Sequence, residues 1–587
     1  MNLFKLQHLG PLNIKKYILI IIAFCSYSFQ VFGQEAFKPF PYKIAIIGNP
    51  ANPDIRYDDS QMKALKDLGF NMLQINIAWG ARPADEPLNL EDVLYVEGKG
   101  RGSKERIAER LAELKSRVKI AKKWGMRTVF HFGAPNVDSL YRVLMPELID
   151  KVTELNSISN PKIVDHYVAL LKRLHQEVPD LDDIQLYTFD QEAWIGSEFG
   201  NSKFDKDVPL HERVTPFVKT MTETWGKLQP KGMLWWEPWE MSAGQIYACI
   251  PNLPRKNFGF FLHSNIAEVQ LSRPVDVWFR NMVNILKKEQ IPVVGELFLA
   301  SANEEVEPMQ HIPAPRLVFE QLEAMYSLKD LVGVKEYFGL LPDSYDPSLL
   351  MAGMKLKNPN LTLKDGLNQL ATPYGTAKND MLTAWENISQ GLQLFPWDAT
   401  WRFRYLPKAV AGVHVFHKWD KAWISGAVAP SPSWKSTRRS LFMITEEEVL
   451  DPWFYEDIEL RAKEAADQFV LAKSNLEKAL SQLKNDPAKS EYVKKSIQDV
   501  ATFEQVMRAI QVYCREVNLV FLMRKYVEKQ ENIPTDLLRR FREIMELDIK
   551  NQEKGYMTNE PGEKTAKEML TLFNSDPVNW VKNYLKP

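Results

Sequence analysis

Ile184-Gln185-Leu186-Tyr187-Thr188-Phe189-Asp190-Gln191-Glu192 begins as an apolar, aromatic run and ends in acids. Period-two alternation puts Thr188, Asp190 and Glu192 on one face, so the segment predicts a buried β-strand with a polar end. Seven more runs of this kind follow one another along the chain: Tyr42 to Gly48, Asn71 to Trp79, Arg127 to Gly133, Gly232 to Glu240, Phe258 to Asn265, Pro292 to Ala300 and Val332 to Gly339. Helix-patterned segments separate them. Gln61 to Leu68 stands behind the candidate caps Asp58-Asp59-Ser60, Ile107 to Trp124 is amphipathic, and Pro313-Ala314-Pro315 opens a helix through Leu328. Alternating strand and helix predict a parallel sheet covered by helices, and eight is the strand number that closes a barrel. A doubly wound open sheet would usually carry a Gly-rich phosphate turn, and Ile46-Ile47-Gly48-Asn49-Pro50 has no G-x-G-x-x-G. The expected fold class is α/β: a (β/α)8 TIM barrel followed by an α-helical C-terminal domain.

The last barrel helix is expected at Asn379 to Leu394. Past Ala427-Val428-Ala429-Pro430-Ser431-Pro432-Ser433 the pattern changes to charged amphipathic stretches, Pro452 to Leu483, Glu491 to Gln530 and Thr535 to Gly555. At the other end, Lys15 and Lys16 precede the apolar Tyr17 to Cys25, and Val31-Phe32-Gly33 leads into Gln34, which reads as a secretory signal cleaved after Gly33. Phe24 before Cys25 disfavours a lipoprotein signal, and the apolar run is too short for a membrane span. The expected organisation is thus a signal peptide over 1–33, a catalytic barrel over 34–425 and a helical domain over 426–587, in a secreted or periplasmic protein with no integral membrane segment after cleavage. Cys249 and Cys514 then remain, too few for a disulfide framework. The 587 residues balance 74 Lys plus Arg against 75 Asp plus Glu, which argues against a nucleic-acid partner. Oligomeric state is not legible.

In barrel enzymes the site lies at the carboxyl ends of the strands, so polar residues there carry the most weight. Two close acids, Asp190 and Glu192, are expected to separate their pKa values by like-charge repulsion. Glu296 stands in the apolar run Val293-Val294-Gly295-Glu296-Leu297-Phe298, where it is either a reacting carboxylate or half of a buried ion pair. Leu234-Trp235-Trp236-Glu237-Pro238-Trp239-Glu240 mixes three Trp with two acids; aromatic faces stack on sugar rings while carboxylates bind hydroxyls, although any single Trp also fits a core. Asn76, Trp79, His131, His263, Asn265 and Glu336 complete an expected polar mouth for a carbohydrate. There is no His-x-His on the first strand, no H-E-x-x-H, no G-x-S-x-G and no P-loop, so neither a metal nor another cofactor is expected.

The segment Leu65-Lys66-Asp67-Leu68-Gly69-Phe70-Asn71 with the strand after it resembles the (β/α)8 glycoside hydrolases of the large retaining clan that includes many β-galactosidases and cellulases. That resemblance covers about residues 42 to 400. It implies Glu192 as acid/base, Glu296 as nucleophile, and Gln191 in the place of the usual Asn that contacts the sugar 2-hydroxyl. A second resemblance, to chitinase- and hexosaminidase-like families, rests on Asp190-x-Glu192 and implies substrate-assisted hydrolysis of 2-acetamido sugars, with Asp190 orienting the acetamido group and Glu192 as acid. The expectation is a glycoside hydrolase by either route, with a non-catalytic glycan-binding barrel as the rival.

Overall fold

The computed structural model describes residues 36–48, 55–77, 86–133, 140–154, 156–187, 198–238, 241, 243–263, 271, 275–303, 306, 309–395, 452–483, 486–553 and 566–584. Each expected run overlaps one strand: β1 (Tyr42–Ile46), β2 (Met72–Gln74), β3 (Arg127–Gly133), β4 (Asp183–Tyr187), β5 (Leu234–Glu237), β6 (Phe258–Leu262), β7 (Val293–Leu297) and β8 (Gly333–Glu336). They pair in parallel and in chain order, and β8 closes on β1 to complete the barrel. The crossovers are helical: α1 (Asp59–Asp67), α2 (Lys104–Lys123), α3 (Pro161–Glu177), α4 (Leu210–Leu228), α5 (Ala243–Cys249), α6 (Val277–Lys288) and α7 (Pro315–Tyr326). Asp58 caps α1 by accepting from the Gln61 amide, Ser103 does the same for α2 through Arg106, and Pro315 opens α7.

Strand alternation divides the side chains into two populations. Ile44, Met72, Val129, Trp235, Phe261 and Val294, from six different strands, form one buried cluster inside the barrel. This apolar plug is sealed below by Asp183, whose carboxylate takes a bidentate pair from Arg127 at 2.8 and 2.5 Å and an indole N–H from Trp235 at 3.2 Å. The opposite phase faces the helices.

After β8 come α8 (Pro347–Lys357), α9 (Leu363–Ala371) and α10 (Lys378–Leu394). The charged stretches form α11 (Pro452–Gln482), α12 (Pro487–Glu528) and α13 (Thr535–Glu553), with α12 starting at Pro487 behind the cap Asp486. Two short helices not anticipated from the sequence, α14 (Ala566–Ser575) and α15 (Pro577–Tyr584), complete this part. They contribute Met569, Phe573 and Val581 to the core that α12 and α13 build around Met523, Phe541 and Met545. The helical part docks on the barrel through α10: a Cβ on Gly391 would lie 2.1 Å from the Phe469 ring, so only glycine lets α10 and α11 approach this closely. Phe395 at the end of α10 stacks on Phe503 of α12 at 5.3 Å. Residues 39–587 form one compact unit. The expected signal segment 1–33 and the domain boundary at 425 fall outside the described residues. Among those residues no helix is long and apolar enough to cross a membrane.

Candidate active site

Moving two residues toward the carboxyl end of the strands crosses from the apolar plug to a polar collar. Met72 is followed by Gln74, Val129 by His131, Asp183 by Gln185, Trp235 by Glu237, Phe261 by His263, Val294 by Glu296 and Gly333 by Lys335. Period two keeps each pair on one face, so the collar lies on the plug at the end where barrel enzymes carry their chemistry. Gln74, Gln185, Glu237, Glu296 and Lys335 are all fully buried, and His131 is 4% exposed.

Two carboxylates stand in this collar. The Lys335 ammonium donates to Glu296 Oε1 at 2.7 Å and lies 5.4 Å from the Phe261 ring centre. The register explains the pair, since Glu296 and Lys335 are direct neighbours across β7 and β8. Glu296 Oε2 has no hydrogen-bond partner among the described residues. Gln185 Nε2 donates to Glu237 Oε2. Burial, and then the negative charge of Glu296, push the Glu237 carboxyl well above the ordinary glutamate range, against the smaller opposing pull of Lys335 and Gln185. The collar therefore joins an ion-paired carboxylate to a carboxyl whose hold on its proton is strengthened, the kind of split that acid/base chemistry uses. His131 and Tyr187 pack at 5.1 Å between ring centres, and His263 lies 6.0 Å from Tyr337.

The structure brings Glu296, Glu237, His131 and His263 of the expected residues into one collar. Three others it places elsewhere. Trp236 points to the helix side, packed on Phe260 and Phe258 at 5.2 and 6.5 Å, because Trp235 takes the inward phase of β5. Glu336, next to inward Lys335, also faces out, and its carboxylate accepts from the amides of Leu299, Phe338 and Gly339 at 2.9, 2.8 and 3.1 Å, where it holds the β7 and β8 exits together. The Asn76 amide is spent on the backbone, donating to Pro87, Leu88 and His131 carbonyls and accepting from the His131 amide at 3.0 Å, which ties β2 to β3. Trp79, Asp190, Gln191, Glu192 and Asn265 lie outside the described residues. Gln185 and Lys335 were missed as site residues; the signal that marks Lys335 is a lone cation in the otherwise apolar Val332-Gly333-Val334. Among the described residues no group of three or more His, Cys, Asp or Glu side chains is arranged to hold a metal ion.

No family model and no curated protein sequence matches the chain. Solved structures do. A GH138 enzyme targeting pectin rhamnogalacturonan II superposes with a TM-score of 0.58 at 12% identity, over 94% of this chain and 84% of that one. The chain shares that enzyme's fold. A mutant of the Thermobaculum terrenum O-GlcNAc hydrolase aligns at a TM-score of 0.44 and 12% identity, over 93% of this chain and 94% of that one. The GH138 likeness covers the helical part as well as the barrel, since no alignment of the barrel alone reaches 94% of the chain.

Proposed function

We propose that this chain is a glycoside hydrolase acting on an oligo- or polysaccharide, exported by its N-terminal segment and cleaving with retention through two carboxylates. The observation that carries the proposal is Glu296: fully buried at the carboxyl end of β7, held by Lys335 through one oxygen only. In this reading Glu296 attacks the anomeric carbon and forms a glycosyl ester while the leaving oxygen takes a proton from a carboxylic acid. The conjugate carboxylate of that acid then deprotonates a water, which cleaves the ester and frees Glu296. Glu192 is assigned the acid/base role, four residues beyond the Thr188 that follows β4. The geometry favours a second assignment, Glu237, which stands fully buried in the collar with Glu296 and whose carboxyl burial pushes above the ordinary glutamate range.

Hydrolysis of a panel of aryl glycosides and plant and microbial glycans is the test, with Glu192→Gln and Glu237→Gln beside the wild type. Turnover on at least one glycan is expected, and the acid is the residue whose loss slows poor leaving groups far more than activated ones. Binding without turnover across the panel would make the chain a glycan-binding barrel instead. N-terminal mass analysis checks export: a mature start at Gln34 is expected, and a retained Met1 in the exported protein would refute it.

A further inference from the structure

The exits of β7 and β8 and the first turns of α12 enclose a cavity of about 350 Å³, the size of small-molecule sites. Its walls come from both parts of the chain. Gln310 and His311 belong to the β7–α7 connection, Tyr345 to the β8–α8 connection, and Glu491, Tyr492 and Lys495 to α12. Three features make it a built site. Asp499 of α12 accepts from the Gln310 and His311 amides at 3.0 and 2.9 Å and pairs with His311 Nδ1 at 2.9 Å, so one carboxylate fixes both the loop and the imidazole. That leaves Nε2 as the ring nitrogen for a ligand, on a side chain 25% exposed. The buried Tyr492 hydroxyl reaches Ser301 Oγ and Asp346 Oδ1 at 3.2 and 3.3 Å, bracing the wall, and its ring packs edge-on to His311 at 5.3 Å. Tyr345, by contrast, is 50% exposed on the rim. An exposed ring beside fixed hydrogen-bonding groups of both polarities is the chemistry that recognises a sugar's apolar face and hydroxyls together.

The cavity is also near the collar. Ala300 in its wall is four residues past Glu296, so the chain itself keeps the two within roughly 15 Å. From this geometry we infer that the cavity is a saccharide subsite, completed by the helical part, which binds a sugar residue linked to the one that is cleaved. The inference rests on the glycosidase reading for its substrate class. It gives the C-terminal helices a direct part in recognition.

The test uses the full-length protein with Tyr345→Ala and His311→Gln, the first because its exposure makes misfolding no concern. Oligosaccharides released from rhamnogalacturonan II and aryl monoglycosides are the probes. Calorimetric binding of the oligosaccharides to the Glu296→Gln protein is expected to weaken about five- to tenfold when Tyr345→Ala is added. In hydrolysis, both cavity variants should raise KM for the oligosaccharide and leave kcat/KM on the aryl monoglycoside within twofold. Should no substrate turn over, the glycosidase reading fails, while the calorimetry still reads the cavity. Oligosaccharide binding that is absent, or unchanged in both variants, overturns the subsite, as does an equal loss on the aryl monoglycoside.

Discussion

Glu86 and Glu296 are both buried and both paired with a cation, yet their surroundings differ. Glu86 receives Arg117 on both oxygens at 2.8 and 2.9 Å, and the Ile77 amide adds a third bond at 2.8 Å. Arg117 is equally occupied, donating also to Glu113 at 2.7 Å and to the Ile75 carbonyl at 3.0 Å, with the Tyr57 ring 4.1 Å away. This pair fastens α2 to the exit of β2 and leaves nothing over. Glu296 has one bond, from Lys335, and an oxygen with no partner among the described residues. A buried carboxylate normally fills its acceptor sites, because each one left empty costs about 1–3 kcal/mol. The contrast separates a carboxylate that holds the fold from the one we propose as the nucleophile.

Two substitutions probe that contrast. The largest effect is expected from Glu296→Gln, which keeps the shape of the side chain: turnover should fall about 10⁴-fold, and the melting temperature should also fall, because the buried Lys335 loses its counter-charge. Retention of activity by that variant would put Glu296 in the same class as Glu86. Arg117→Met should do the reverse. Stranding Glu86 without its guanidinium should cost about 3–5 kcal/mol in denaturant unfolding, while the turnover of the molecules that remain folded stays within twofold of wild type.

The smallest effect concerns Glu237 and is a dependence on pH. Its native carboxyl binds the proton more tightly than an unfolded glutamate of pKa 4.5 does. Its contribution to stability is therefore fully present below that value and is lost as pH rises through the native one. Measured against Glu237→Gln, the wild type should lose stability progressively above pH 4.5, and parallel stability curves would show that burial does not raise this group.

Much of this was legible in the sequence. Seven of the eight strands lie within the runs marked by apolar and aromatic residues, the eighth, β4, starts one residue earlier at Asp183, and Glu296 stood out as the lone acid in one of them. What the pattern left undetermined was strand phase where both neighbours qualify. Lys335 and Glu336 are adjacent, as are Trp235 and Trp236, and a shift of one residue exchanges inside for outside. In β8 the bulkier claim of Glu336 as a sugar ligand gave way to the register, which sets Lys335 against Glu296. Gln185 gained its meaning only from Glu237 on the neighbouring strand. Asn76 was expected at the mouth because it is polar at a strand end; backbone groups of β3 and of the β2–α2 connection claimed it first.

The most direct measurement removes the Glu296 carboxylate and supplies another nucleophile. With an activated aryl glycoside as substrate, Glu296→Ala should be nearly inactive. Azide should restore part of the rate, yielding a glycosyl azide whose anomeric configuration, read by NMR, is inverted relative to the substrate. Unimpaired turnover by Glu296→Ala, with no glycosyl azide formed, would contradict the assignment of Glu296 as the reacting carboxylate.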